Sequence, residues 1–177
     1  MSAIRIFRIA GLITAVMLAP WLTGCGHIMR SAGETVKRPG QPDVAYVAED
    51  DAKMTTAIAT ARSTVGQFVL VLEKPAAYQS DFAVKLPIRD GDTVEHMWVT
   101  GLKFRNGRFS GTIDNEPDQV KTVHLGQSIT AVQSEISDWM YVERGMLRGG
   151  YTIRALRDPL SEKERRDFDR DLPFTIE

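Results

Sequence analysis

Apolar residues are distributed along this chain in three ways, and each predicts a different kind of segment. From Asp50 onward, Met54, Ile58, Ala61 and Val65 recur at spacings of 4, 3 and 4, one stripe of an α-helix. Asp50 and Asp51 stand at its cap and first turn, where carboxylates favour the positive helix end. Gly66 supplies a stop signal, and Phe68 to Leu72 reads as a short strand or buried loop closed by Pro75.

The period then changes to 2. Phe82, Val84, Leu86 and Ile88 alternate with Ala83, Lys85, Pro87 and Arg89, the pattern of a half-buried strand, and Pro87 places that strand at an edge or bulge. Beyond a turn at Asp90-Gly91-Asp92, Val94, His96 and Trp98 share one face of the next strand, while Glu95, Met97 and Val99 share the other. Asn106-Gly107, between Phe104 and Phe109, marks a two-residue hairpin. Further strands are expected at 108–114, 128–132 and 137–142, the last turning at Arg144-Gly145. The pattern leaves Tyr151 to Leu156 undetermined. Ser161 and Glu164 fit the capping box of a final helix. Its segment Glu162 to Asp171 carries five acids and four bases, as expected of a solvated helix docked by Leu160 and Phe168. Short turns require antiparallel pairing. The expected fold is therefore α+β: a mostly antiparallel curved sheet of five or six strands, an N-terminal helix packed on it and a short C-terminal helix.

The third pattern is a continuous apolar run. Ile9 to Leu22 carries no charge, is about 14 residues long and follows Arg5 and Arg8. A spanning helix needs about 20 residues, so this is the outline of a secretory signal. The run ends in Leu22-Thr23-Gly24-Cys25, which resembles the bacterial lipobox: an aliphatic residue, two small residues and the cysteine that receives lipid. The expected organisation is a signal peptide at 1–24, a lipidated Cys25 and flexible tether at 25–44, the α+β domain at 45–171 and a tail at 172–177. Several acyl chains are needed for a durable anchor, at about 0.8 kcal/mol per buried methylene. The first expected partner is thus the lipid bilayer. Gly26 lacks the aspartate associated with inner-membrane retention, which points to the outer membrane facing the periplasm.

Charge and cysteine count narrow the function. The 177 residues carry a formal net charge of -1. Cleavage before Cys25 would remove two arginines and leave 20 basic against 23 acidic groups. No polybasic stretch is present, so nucleic acid is not an expected partner. Cys25 is the sole cysteine, which excludes an intrachain disulfide and a thiol nucleophile in the domain.

Among reactive side chains, Glu95 beside His96 invites an acid–base reading, but neighbouring strand residues point to opposite faces. His96 would then need His124 or Asp138 as partner. Glu95, His96, His124 and Asp138 show no metal-ligand spacing, and no metal or cofactor is expected. Asp138-Trp139 suits either a binding cleft or a turn with a core indole. Trp98, Trp139 and Tyr141 would form an aromatic platform if exposed and a core if not, and Lys85 and Arg154 are candidate anion binders. Signatures of serine hydrolases, phosphate-binding loops and zinc proteases are absent from the chain.

Glu95-His96-Met97-Trp98-Val99 resembles the YegJ-like family, a bacterial domain of unknown function. Ala61-Arg62, Val84-Lys85, Asn115, Pro117, Ser137-Asp138-Trp139-Met140 and Gly150-Tyr151-Thr152 fit the same pattern. The resemblance covers roughly Ala45 to Phe168 and implies a single folded unit without an assigned reaction. The leading expectation is a non-catalytic envelope lipoprotein that binds a protein or a cell-wall component. The alternative is a hydrolase-like enzyme using His96 with Glu95 or Asp138, which requires those side chains to meet in a cleft.

Overall fold

A computed structural model describes residues 51–170 and 172–177 in full, and the backbone of three strands before them. Those strands are β1 (Ala15–Ala19), β2 (Thr35–Arg38) and β3 (Gln41–Ala48). Thr35–Arg38 and the start of Gln41–Ala48 are thus extended and paired within the stretch expected to be a tether, while Cys25 lies outside the described residues.

Helix α1 (Ala52–Glu73) starts where Asp51 accepts a hydrogen bond from the Met54 amide at 2.7 Å. Its buried stripe is Met54, Ala57, Ala61, Val65, Phe68 and Val69. This corrects the expectation that Gly66 ends the helix and that Phe68 to Leu72 is a strand or loop. Gly66 sits on the exposed side with open space where a Cβ would stand. A mid-helix glycine costs about 1 kcal/mol, and burying Phe68 and Val69 one turn later outweighs that. The helix ends just before Pro75, because the residue preceding a proline disfavours helical geometry.

Six antiparallel strands follow: β4 (Gln79–Asp90), β5 (Thr93–Arg105), β6 (Arg108–Ile113), β7 (Ser128–Val132), β8 (Asp138–Glu143) and β9 (Met146–Gly149). Their lateral order is β7-β6-β5-β4-β8-β9, and β1 pairs with the first residues of β5, beyond the reach of β6. The expected α+β class holds. Both predicted tight turns have the left-handed backbone that their residues favour, with φ of 52° and 72° at Asn106-Gly107 and 52° and 80° at Arg144-Gly145. Pro87 lies beyond Lys85, the last β4 residue paired with β8. This corrects the expectation of an edge strand: β4 is flanked by β5 and β8, and Pro87 is tolerated because it lies past the end of the β8 pairing.

The sheet has two covered faces. On one, α1 packs over Val84, Leu86, Met97, Val99, Phe109, Ile113 and Trp139. On the other, Ala83, Trp98, Met140, Leu147 and Ile153 are joined by Phe174 and Ile176 of the C-terminal tail. Helix α2 (Tyr151–Arg157) occupies the segment that the pattern left undetermined. Helix α3 (Glu162–Arg170) follows, its capping box formed by Ser161 and Glu164 with the Ser161 amide donating to Glu164 at 2.8 Å. Among the described residues no helix is long and apolar enough to cross a membrane.

Candidate functional site

The side chains with the greatest chemical potential sit inside the molecule. Lys85, Glu95, Asp138 and Ser137 are 0% exposed, and His96 is 4% exposed. The period-2 pattern explains how they divide. Lys85 pairs directly with Trp98 on one side and Asp138 on the other, and directly opposed residues in antiparallel strands share a face. Lys85, His96, Trp98 and Asp138 thus occupy the face covered by α2 and the tail, and Glu95 belongs to the opposite one.

Asp138 is the hub of this layer. Its Oδ1 accepts from the Trp139 and Tyr151 amides at 2.8 and 3.1 Å, and its Oδ2 accepts from the Thr152 amide at 2.8 Å and the Thr152 hydroxyl at 2.6 Å. The residue preceding α2 is Gly150, which has no capping side chain and adopts φ 63°. The carboxylate of β8 therefore caps a helix that its own sequence leaves uncapped. Lys85 Nζ donates to Thr152 Oγ1 at 3.1 Å and lies 5.0 Å from the centre of the Trp98 ring, in range for a cation–π contact. Burial lowers the Lys85 ammonium to about 8, opposed by the Asp138 charge. Burial likewise raises the Asp138 carboxyl, opposed by Lys85 and by its hydrogen bonds to Thr152 and Trp139. Four donors converge on Asp138, which favours its ionised form.

His96 bonds to Ser137: Nδ1 stands 2.7 Å from Oγ, and the Ser137 hydroxyl also lies 3.2 Å from the Lys85 carbonyl. Burial, reinforced by the positive charges of Lys85, Arg62 and Arg89, pushes the imidazole down to about 3, so it is neutral at physiological pH. Its Nε2 and the Trp98 Nε1 are buried without a hydrogen-bond partner among the described residues.

Glu95 does different work. Its Oε1 accepts from the Asp118 amide at 2.9 Å, and its Oε2 accepts from Asp118, Gln119 and Val120 at 3.0, 3.2 and 3.4 Å. One carboxylate thereby holds three consecutive amides of the loop between β6 and β7. Burial raises the Glu95 carboxyl, and the same amides oppose the rise. Glu95→Gln keeps the shape but loses the charge and turns a donor toward amides that also donate. It should cost about 1–3 kcal/mol and speed amide exchange at Asp118–Val120 above that of the sheet. Unchanged exchange there would remove Glu95 as the clamp.

Of the two arrangements open to Trp98, Trp139 and Tyr141, the structure shows the core and not the exposed platform. Trp98 and Trp139 lie on opposite faces. Trp139 is stacked on Phe68 at 5.3 Å and donates from Nε1 to the Ala61 carbonyl at 3.0 Å, so it anchors α1. Tyr141 stacks on Phe82 at 5.3 Å beside it. Lys85 is enclosed rather than solvated, and Arg154 is committed to the Leu147, Gly149 and Glu177 carbonyls at 3.0, 3.1 and 2.8 Å. Neither is an open anion site. The hydrolase arrangement is not formed: Glu95, His96 and Asp138 each bond to a different element. His124 is exposed in a turn with Nδ1 3.0 Å from the Leu125 carbonyl. No group of three or more metal-ligating residues occurs among the described residues. Sequence reasoning missed Ser137 and Thr152 as partners, since each is set by a contact across strands or from strand to helix. Their only signal was their place in the Ser137-Asp138-Trp139-Met140 and Gly150-Tyr151-Thr152 strings.

The family described as "Uncharacterized protein conserved in bacteria (DUF2314)" matches residues 51–175. The chain is 41% identical over 111 residues to "Uncharacterized protein YegJ" of Escherichia coli (strain K12), covering 63% of this chain and 69% of that protein. It is 35% identical over 138 residues to "Putative ankyrin repeat protein NMB1133/NMB1171" of Neisseria meningitidis serogroup B (strain ATCC BAA-335 / MC58), covering 73% of this chain and 54% of that protein. It thus spans about half the length of the Neisseria relative. No solved structure matches the chain.

Proposed function

The chain belongs to the DUF2314 family of bacterial proteins, and we propose that this member is a lipid-anchored envelope protein whose domain acts by binding rather than by turnover. The observation that carries the second half is the enclosure of Lys85, Glu95, His96 and Asp138. A catalytic acid or base must come within hydrogen-bond reach of its substrate, and here each such group is spent on an internal contact. The first half rests on Arg5 and Arg8, the apolar run to Leu22 and the Leu22-Thr23-Gly24-Cys25 string. Lipid on Cys25 holds the domain at the membrane, on the periplasmic side of the outer membrane in a two-membrane envelope. Its partner is then a protein or a cell-wall component within reach of that surface.

Mass spectrometry of the protein purified from membranes tests the anchor. The expected mature form begins at Cys25 and carries a diacylglycerol on sulfur with a fatty acyl group on the amine. Cys25→Ser should leave an uncleaved chain that loses the lipid mass. A wild-type protein with an intact Met1 or a bare Cys25 thiol would overturn the reading.

A further inference from the structure

The face covered by α2 and the tail is covered only in part. Its inner half is buried beneath Ile153, Phe174 and Ile176, and its outer half, on β5–β7, is open. The register identifies what that half displays. Thr100 opposes Thr112, Lys103 opposes Ser110 and Arg105 opposes Arg108. In turn, Thr112 opposes Ser128 and Ser110 opposes Thr130. A bulge between Thr100 and Lys103 keeps these two on one face although they are three residues apart. The result is five hydroxyls and three cations in register on one side, with Phe104 and Phe109 directed to the core on the other. Lys103, Arg105, Arg108, Ser128 and Thr130 are exposed.

Two features exceed what a solvated polar face requires. Arg105 and Arg108 stand directly opposite each other, a like-charge cross-strand pair that is unfavourable by itself. Among the described residues, Lys103, Arg105 and Arg108 form no ion pair. Glu135, which follows β7, accepts instead from the Val132 amide at 2.9 Å. Positive charge is thus concentrated, with no ion pair among the described residues, in a chain whose overall charge is -1. A local rule broken without internal compensation marks a site that awaits an external one.

We propose that this face binds a carboxylate-bearing polysaccharide. Strands about 4.8 Å apart, with same-face residues about 6.6 Å apart along each strand, present a grid on the scale of successive sugar rings. The hydroxyl rows exchange hydrogen bonds with sugar hydroxyls, and the cations take the carboxylates, the arginines by two parallel bonds. Rows of hydroxyls beside the cations suit a glycan, whose rings offer hydroxyls as well as carboxylates, better than an acidic peptide, which offers carboxylates without ring hydroxyls. The inference rests on the reading of the chain as an envelope binding module and names the class of its partner.

The test uses detergent-solubilised full-length protein and immobilised polygalacturonate, with neutral dextran and poly-glutamate as comparison polymers. The wild type should bind polygalacturonate, weaken as salt rises and bind dextran and poly-glutamate less. Arg105→Thr/Arg108→Thr, which leaves strand-compatible residues on an exposed face, should stay folded and bind at least about tenfold more weakly. Lys163→Thr/Arg166→Thr on α3 removes the same charge elsewhere and should bind like the wild type. Equal losses in both double variants, preference for poly-glutamate, or no binding to polygalacturonate would each overturn the proposal. Failure to bind by a protein that mass spectrometry shows to be anchored sinks this inference alone. A bare Cys25 thiol sinks the anchoring reading whatever the polymers do.

Discussion

Asp138→Ala should destabilise the domain by about 3–5 kcal/mol, because it strands several buried donors at about 1–3 kcal/mol each and removes a buried charge that favours the Lys85 ammonium. Three losses coincide. Lys85 remains buried without the Asp138 charge that opposes the effect of its burial. The amides of Tyr151 and Thr152 lose the acceptor that starts α2, and the Thr152 hydroxyl loses its bond at 2.6 Å. A domain is stable by only about 5–15 kcal/mol in total, so the variant should unfold at far lower urea. Lys85→Met on the same background should recover part of the loss, because an apolar chain of similar length carries no buried charge for Asp138 to favour. A double-mutant cycle of urea midpoints reads this directly. A cost below about 1 kcal/mol for Asp138→Ala, or no recovery in the double variant, would refute the hub assigned to this carboxylate. Partial recovery also separates the two roles, since the lost helix cap persists when the charge is removed.

Acidification should act through His96. The imidazole is held at about 3 in the folded domain against 6.5 in the unfolded chain. Between those values the unfolded chain binds more protons, so stability rises with pH there and is lost as pH falls. The contribution is complete above 6.5 and amounts to at most about 5 kcal/mol at the lower limit. Glu95 and Asp138 act with the opposite sign, because burial raises both carboxyls and favours the folded state on acidification. They offset part of the His96 effect at the acid end. His96→Phe removes the titration and an Nε2 that has no hydrogen bond among the described residues, and leaves Ser137 its contact with the Lys85 carbonyl. Urea titrations at a series of pH values should show the wild type losing stability steeply from pH 6.5 downward and the variant losing markedly less. Parallel curves would show that another group drives acid unfolding.

Local reasoning reached the elements whose causes are local. The stripe in α1, the alternation in β4 and β5, the tight turns at Asn106-Gly107 and Arg144-Gly145 and the capping box at Ser161 are written in residues a few positions apart. It failed at Gly66, where a stop signal was overridden by the burial of Phe68 and Val69 against the sheet. It also failed at α2, where two glycines conceal a helix whose cap arrives from another strand. The separation of Glu95 from His96 was legible from strand period alone. The enclosure of Lys85 was not, since a lysine on an alternating strand reads as solvated until the opposite layer is known.

The sequence alone determined the α+β class, the antiparallel pairing, the division of Glu95 and His96 between faces and the absence of thiol chemistry from the domain, because periodicity, turn geometry and residue count require no distant partner. Tertiary structure decided whether each polar residue is a surface group or an internal support. Asp138 finds α2 across 14 residues, Ser137 finds His96 across 41 and Lys85 finds Thr152 across 67. Burial and hydrogen bonding depend on what the folded chain stacks above a face, and that identity is not encoded within any one segment.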